Sequence, residues 1–370
     1  MSAVTALAGG VFGTTAADDD TELHELVDDI GRQAFEARQG RRGCPDEFDD
    51  ALWANLEQTG LARLTSTPDL GAGPIELATV LSGLARHAGS VPIAETDLLA
   101  AWLAAKADLD APESGPMTVA VGHAESANGR LVGTAHDVPW TRAALAGGGV
   151  LLAARADGGL HVGFLPDPNV TDRQNLGGEP RDSVAFDVAA DEFVRLDGAV
   201  ADELIRRGAW ARCVQVVGTL DAAAQLSVAY TQERTQFGRS LSKFQSVQHS
   251  LSQLAGEIER ARAAVTLAVA AAADHGFESA QADYAVTVAK VVVGRVADPV
   301  TTIAHQLHGA IGVTIEHQLW LSTMRALSWI EEFGSTGHYA RRLGRAAIAA
   351  SRSDGDAWDL LIGNDLQGWE

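Results

Sequence analysis

The sequence predicts an α+β fold in three consecutive parts: a helical N-terminal domain, a small middle β-sheet or barrel, and a C-terminal four-helix bundle. Three observations carry that expectation. Apolar residues recur at three- and four-residue steps from about residue 20 to 108; short β-forming runs between Gly, Pro, Asn and Asp clusters follow; the helical period returns from about 201 and lasts nearly to the end. The boundaries drawn are a loosely ordered or disordered 1–19, a helical domain at 20–115, a β domain at 116–200, a bundle at 201–352 and a tail at 353–370.

In the first part, TELHELVDDIGRQAF and PDEFDDALWANLEQTG are amphipathic, the second closed by glycine. Pro74 opens PIELATVLSGLARHAG, and AETDLLAAWLAAKADL follows the Val91-Pro92 break with an apolar excess that implies burial. The runs MTVAVG, GVLLAARA, LHVGFL and SVAFDV then read as strands of an antiparallel sheet. In the last part Leu251, Leu254, Ile258, Ala261, Val265 and Ala268 form one continuous apolar stripe, suited to a bundle with oligomer contacts.

Composition narrows the function. The chain has 370 residues, 46% hydrophobic, and a formal charge of −21 from 28 basic and 49 acidic side chains. That excess repels a phosphate backbone or an anionic membrane, so neither nucleic acid nor membrane is expected as a partner. Cys44 and Cys213 lie far apart with no ligand spacing, which argues against a disulfide framework or a zinc site and for a reducing, cytoplasmic setting. The start has no basic n-region, and no apolar run reaches the roughly 20 residues of a membrane helix. His305 and His308, three apart, lack a third ligand at metal spacing, so no metal is expected.

The segments that speak to function are YTQERTQFGRSLSKFQSVQHSL, Tyr230 to Leu251, and IAHQLHGAIGVTIEHQLWL, Ile303 to Leu321. Both closely resemble the C-terminal domain of the acyl-CoA dehydrogenase family of flavoproteins, and the resemblance runs from about residue 20 to 350. Read from the residues, Arg234 stands at a helix C-terminus before the Phe237-Gly238 turn, and its planar, permanent charge suits a pyrophosphate. The resemblance implies that Arg234 and the Phe237 turn contact the FAD of a neighbouring subunit. It implies further contacts from Gln245 and from Gln306 with Gly309, where a glycine lets the backbone approach an anion. Gly312 follows, with Ala310-Ile311 where many members carry a glycine and a polar residue. In the β part, Trp140 and Thr141 match the element that lies against the flavin ring, although Trp140 also reads as a packing residue. The preceding strand offers only Thr118, Ser126 and Asn128 in place of a Thr/Ser-rich flavin loop.

Dehydrogenation of an acyl thioester needs a carboxylate to take the Cα proton while hydride leaves Cβ for the flavin. The family places it in a turn after the last arginine-bearing helix or early on the helix leading to Arg234. Counted from Arg325, the first place falls on Gly334; counted back from Arg234, the second falls on Gly208. Neither carries a base. Glu331 and Glu332 lie close by, but two helical residues turn a side chain by about 200°, so Glu332 is a fallback that requires a re-registered turn.

The resemblance therefore implies an FAD-dependent acyl-CoA dehydrogenase subunit acting within a complex and inactive alone. A homologous partner, as α2β2, would supply the glutamate. The form GAIGVTIEHQLWL looks like actinobacterial members acting on bulky acyl-CoA thioesters, sterol side chains included. Two alternatives stay open: a self-sufficient homo-oligomer that uses Glu332, and a flavin-free scaffold.

Overall fold

The computed structural model describes residues 18–39, 44–314, 317–352 and 369. The segment 1–17 and the tail from 353, Trp369 excepted, lie outside that set. In chain order the α-helices are α1 (Asp18–Ala37), α2 (Asp50–Gln58), α3 (Pro74–Arg86), α4 (Trp102–Lys106), α5 (Thr141–Ala146), α6 (Gly198–Glu233), α7 (Gln245–His275), α8 (Ala280–His308), α9 (Gln318–Trp329) and α10 (Thr336–Arg352). The strands are β1 (Met117–Ala127), β2 (Arg130–Pro139), β3 (Gly149–Ala156), β4 (Gly159–Phe164), β5 (Asn169–Thr171), β6 (Arg181–Ala189), β7 (Val194–Asp197), and a short pair, β8 (Thr235–Gln236) and β9 (Arg239–Ser240). The helical, β and helical parts thus follow in the expected order. The chain divides into two compact units, residues 30–73 with 89–208, and residues 1–29, 74–88 and 209–370.

In the first of these units a seven-stranded sheet runs in the order β5-β6-β2-β1-β3-β4-β7. It is not wholly antiparallel, as the alternation suggested. β1 pairs parallel with β3 through Met117–His123 and antiparallel with β2 through Ala124–Ala127, so one long strand serves two partners. The reason is the connection: β2 and α5 carry the chain across before β3 begins, which a parallel pair requires. Leu131, Val150, Leu152, Val184, Phe186 and Phe193 fill the inner face. Helix α2 is capped by Asp49, whose Oδ1 accepts from the Leu52 N–H at 3.0 Å. A π-helical stretch, Ala94–Ala101, enters α4, and its Thr96 hydroxyl exchanges two hydrogen bonds with the backbone of Met117.

The other unit is a bundle built on α6, α7 and α8. Of the predicted stripe on α7, Leu254, Ile258, Ala261, Val265 and Ala268 are buried and Leu251 is half-buried. Each fully buried Leu, Ile or Val contributes about 1.5–3 kcal/mol. Trp210 of α6 is fully buried, donates from Nε1 to the Ala268 carbonyl at 3.2 Å and meets Phe277 edge-on at 5.4 Å. Helices α3 and α6 touch at Gly218, where any Cβ would land on the Ser82 carbonyl.

Candidate functional site

Helix α6 ends at Glu233, and the chain turns at once into the β8–β9 hairpin, Thr235 facing Ser240 and Gln236 facing Arg239. Its two-residue loop is Phe237-Gly238, with φ +55° and +77°, the left-handed pair a type I′ turn demands. A glycine takes that geometry without strain and a phenylalanine does not. Phe237 nevertheless holds it while 91% exposed. Arg234 sits beneath the hairpin, its N–H bonded to the Tyr230 carbonyl and its carbonyl to the Leu241 N–H, each at 2.9 Å. Its side chain is exposed, with no carboxylate partner among the described residues. The Arg239 guanidinium lies 4.1 Å from the centroid of Phe244. Gln245 then opens α7, a 31-residue helix whose cap residue, Phe244, offers no side-chain bond to its first N–H groups. Exposed cations beside an uncapped N-terminus make a patch for an anion on an otherwise acidic chain.

The second segment lies beside the first. Tyr230, one turn before Arg234, stacks on His308 with centroids 4.6 Å apart. Gln306 is exposed on the last turn of α8, and Gly309 ends the helix at φ +66° with open space where a Cβ would stand. Gly312 differs: a Cβ there would come within 2.9 Å of His308 Cβ and 3.0 Å of Leu319 Cδ2. The two glycines of the motif therefore divide the work, Gly309 leaving the backbone open to a ligand and Gly312 allowing the turn to pack.

In the sheet unit the geometry is less open. Trp140 takes φ +53°, is buried, and lies edge-on to Phe48 at 6.3 Å. Thr141 is buried and donates to the Val138 carbonyl at 3.3 Å. Nearby Asp182 is buried, its Oδ1 accepting from the Arg173 N–H at 3.1 Å, and burial raises its carboxyl above the ordinary range. β1 and β2 join through a two-residue Asn128-Gly129 turn, and Thr118 is buried inside the sheet. The hydroxyls counted in the sequence therefore do not gather into a loop.

The turn between α9 and α10 holds the position where a base was sought. Gly334 has φ +106°, and a Cβ there would lie 2.8 Å from Tyr339 Cε2. The Tyr339 hydroxyl donates to the Phe333 carbonyl at 2.8 Å. Lys290 of α8, buried, donates from Nζ to the carbonyls of Ile330 and Glu332, both at 2.8 Å. Burial pushes its ammonium below the ordinary lysine value, opposed by Cys213, Glu332 and Glu331; the Cys213 thiol is itself pushed up to about 12 by burial. Glu331 is exposed, as a helix-end carboxylate should be, whereas Glu332 is not: its Oε2 accepts from Arg212 Nε at 2.6 Å, with side chains 16% and 3% exposed. Gly208 lies buried within α6. Arg212 and Lys290 are not among the candidates expected from the sequence. Each has a signal, a lone charge on an otherwise apolar face, in AWARCVQVV and AVTVAKVVV.

Residues 197–347 match the family described as acyl-CoA dehydrogenase, C-terminal domain. Acyl-CoA dehydrogenase IpdE2 of Mycolicibacterium smegmatis is 29% identical over 127 residues, which are 34% of this chain and 38% of that protein. IpdE2 of Mycobacterium tuberculosis is 27% identical over 322 residues, 80% of this chain and 86% of that one. Among solved structures, the ChsE4-ChsE5 complex from Mycobacterium tuberculosis superposes with a TM-score of 0.75 at 24% identity, over 90% of this chain and 98% of that one. The Tcur3481-Tcur3483 steroid ACAD gives 0.74 at 24%, over 91% and 99%. Residues 197–347 are thus similar to the C-terminal domain of the acyl-CoA dehydrogenases. The match to the Mycolicibacterium IpdE2 spans well under two thirds of that relative's own length, and the structural likenesses fix the acyl-CoA dehydrogenase fold.

For FAD, the group this family uses, the residues present fit in part. The exposed Arg234, the exposed Phe237, the open α7 N-terminus and the unobstructed Gly309 suit a diphosphate and its flanking groups. The sheet unit, with its tight Asn128-Gly129 turn and buried Thr118, offers fewer polar groups to a flavin ring.

Proposed function

We propose that this chain is one subunit of a heteromeric FAD-dependent acyl-CoA dehydrogenase, as α2β2, in which a homologous partner supplies the catalytic glutamate. The observation that carries this reading is the turn at Gly334. A glycine occupies the customary base position, its backbone adopts a left-handed φ, the Tyr339 ring fills the space a side chain would need, and the nearest inward carboxylate, Glu332, is engaged by Arg212.

In that assembly Arg234 pairs with the diphosphate of a neighbouring subunit's FAD, with Gln245, Gln306 and the backbone at Gly309 as further donors and Phe237 as an apolar cover. Within the sheet unit, Trp140 and Thr141 fix a turn suited to a flavin ring of its own. FAD, when bound, accepts the hydride leaving Cβ of the acyl thioester. This chain's part is to hold and orient; the Cα proton goes to the partner's carboxylate. The ChsE4-ChsE5 complex favours an assembly of unlike chains, and the steroid ACAD favours bulky, sterol-derived acyl-CoA esters as the substrate class.

The test is the FAD content of the complex purified from its source cells, with Arg234 intact or replaced. Arg234→Ala should leave the assembled complex largely stripped of FAD, and Arg234→Lys should retain an intermediate amount. Full FAD in Arg234→Ala would remove this chain from the cofactor site and favour the scaffold reading. FAD and turnover in the chain alone would favour the self-sufficient enzyme using Glu332.

A further inference from the structure

His305, His308 and His317 gather around the 309–313 turn, and Tyr230 closes the cluster from α6. His308 is 3% exposed, stacked on Tyr230 with ring planes 22° apart, and 5.0 Å from His317 in an edge contact. The hydrogen-bond network assigns the tautomers. His308 Nδ1 lies 2.8 Å from the Ala304 carbonyl and so carries the hydrogen. The Thr323 hydroxyl donates to the Leu319 carbonyl at 2.8 Å, so His305 Nε2, 2.9 Å from that oxygen, is the donor to it. His317 Nδ1 accepts from the Leu319 N–H at 3.1 Å, which puts its hydrogen on Nε2. Two bare nitrogens remain, His305 Nδ1 and His308 Nε2, both buried and without a hydrogen bond.

The turn packs on these rings without slack. At Gly312 even a Cβ would lie 2.9 Å from His308 Cβ and 3.4 Å from His305 Nδ1. The groups that face His308 are Tyr230 and the Leu226 carbonyl on α6, His305 and the Ala304 carbonyl on α8, and His317 before α9; residues 309–313 bring nothing titratable. Among the described residues no carboxylate faces the cluster, so a positive charge there has no counter-charge and only the Ala304 and Leu226 carbonyls to favour it; Glu316 lies outside them. Nor does any group of three or more His, Cys, Asp or Glu among the described residues suit a metal ion. Burial lowers all three imidazoles below the ordinary histidine value, and His317 lowers His305 and His308 further.

We propose that the imidazole cluster is a proton-sensitive latch: neutral rings hold the 309–313 turn in place, and protonation frees it. The turn carries Gly309, so the same event would loosen the end of α8 assigned above to the cofactor. The latch itself is a property of this chain and is tested without flavin, so it stands or falls independently of the shared-site reading.

Hydrogen exchange on the full chain at about pH 7.5 and about pH 5.5 tests it. After correction for intrinsic exchange, amides of residues 303–314 and 317–323 should lose protection by about tenfold per coupled proton for each pH unit below the ordinary histidine value, while residues 284–297 of the same helix should not. His317→Asn keeps an acceptor for the Leu319 N–H, and His305→Gln keeps a donor to Thr323. Each should reduce the acid response, and together they should leave only the part that belongs to His308. Unchanged protection at low pH, an equal loss in both segments, or variants as acid-sensitive as the parent would overturn the proposal. Should the double variant not fold, a ring-by-ring NMR titration of the parent decides. Three rings titrating below 6.5 support the latch, and any ring titrating at or above that value refutes it.

Discussion

Replacing Glu332 by alanine separates a structural counter-ion from a catalytic base. The carboxylate meets Arg212 at 2.6 Å, and the guanidinium it balances is 3% exposed, 5.8 Å from the Trp329 centroid and 5.7 Å from that of Phe333. Removing one member of such a pair costs about 3–5 kcal/mol when the other is left buried and uncompensated. Two features reduce that figure here: Gln215 Oε1 still accepts from Arg212 Nη1 at 2.6 Å, and Glu332 retains some solvent contact. The expectation for Glu332→Ala is therefore about 2–3 kcal/mol of lost stability, or roughly 4–12 °C in Tm for a cooperative body of about 200 residues. Glu332→Gln keeps the shape and one acceptor and should lose about half as much. Urea and thermal unfolding of the full chain measure both. An alanine variant as stable as the parent would refute the reasoning, because Arg212 would then not need the carboxylate and Glu332 would be available for chemistry.

The order of helices, strands and helices was legible because its signals are periodic: the stripe from Leu254 to Ala268 is buried as its spacing requires. The parallel β1–β3 pairing was not, since periodicity within a strand does not name its partner. Arg234 and the Gly309 turn, two candidates read from the sequence, lie on neighbouring segments joined by the stacking of Tyr230 on His308. Burial was the harder quantity. Trp140 and Thr141 lie inside the sheet unit, and Glu332 is tied to an arginine 120 positions earlier, a pairing no local pattern reveals. Gly334 was found by counting, but its φ and the Tyr339 ring that fills its side-chain space exist only in three dimensions.

Two further outcomes are expected. Gly334→Glu restores a carboxylate in sequence but not a base: the left-handed φ and the clash with Tyr339 should each cost about 1–3 kcal/mol, so this chain alone should be destabilised in melts and still fail to dehydrogenate acyl-CoA esters. Asp182→Asn keeps the acceptor for the Arg173 N–H and removes a buried charge. Because burial raises the Asp182 carboxyl, the parent's contribution from this group is full below the ordinary carboxylate value and is lost as pH rises through the raised one. Melts recorded from about pH 4 to about pH 8 should show the asparagine variant equal or superior to the parent at neutral pH, and a variant that melts lower there would contradict that assignment.

The central claim is that this chain lacks a working base and completes a site with another chain. The most direct measurement compares acyl-CoA dehydrogenation by the purified chain alone with that by its complex with a co-purifying family member that carries the glutamate. No turnover is expected alone, turnover with FAD is expected in the complex, and turnover should be lost when the partner's glutamate is replaced by glutamine. Full turnover by this chain alone, or by a complex in which that glutamate is absent, would contradict it.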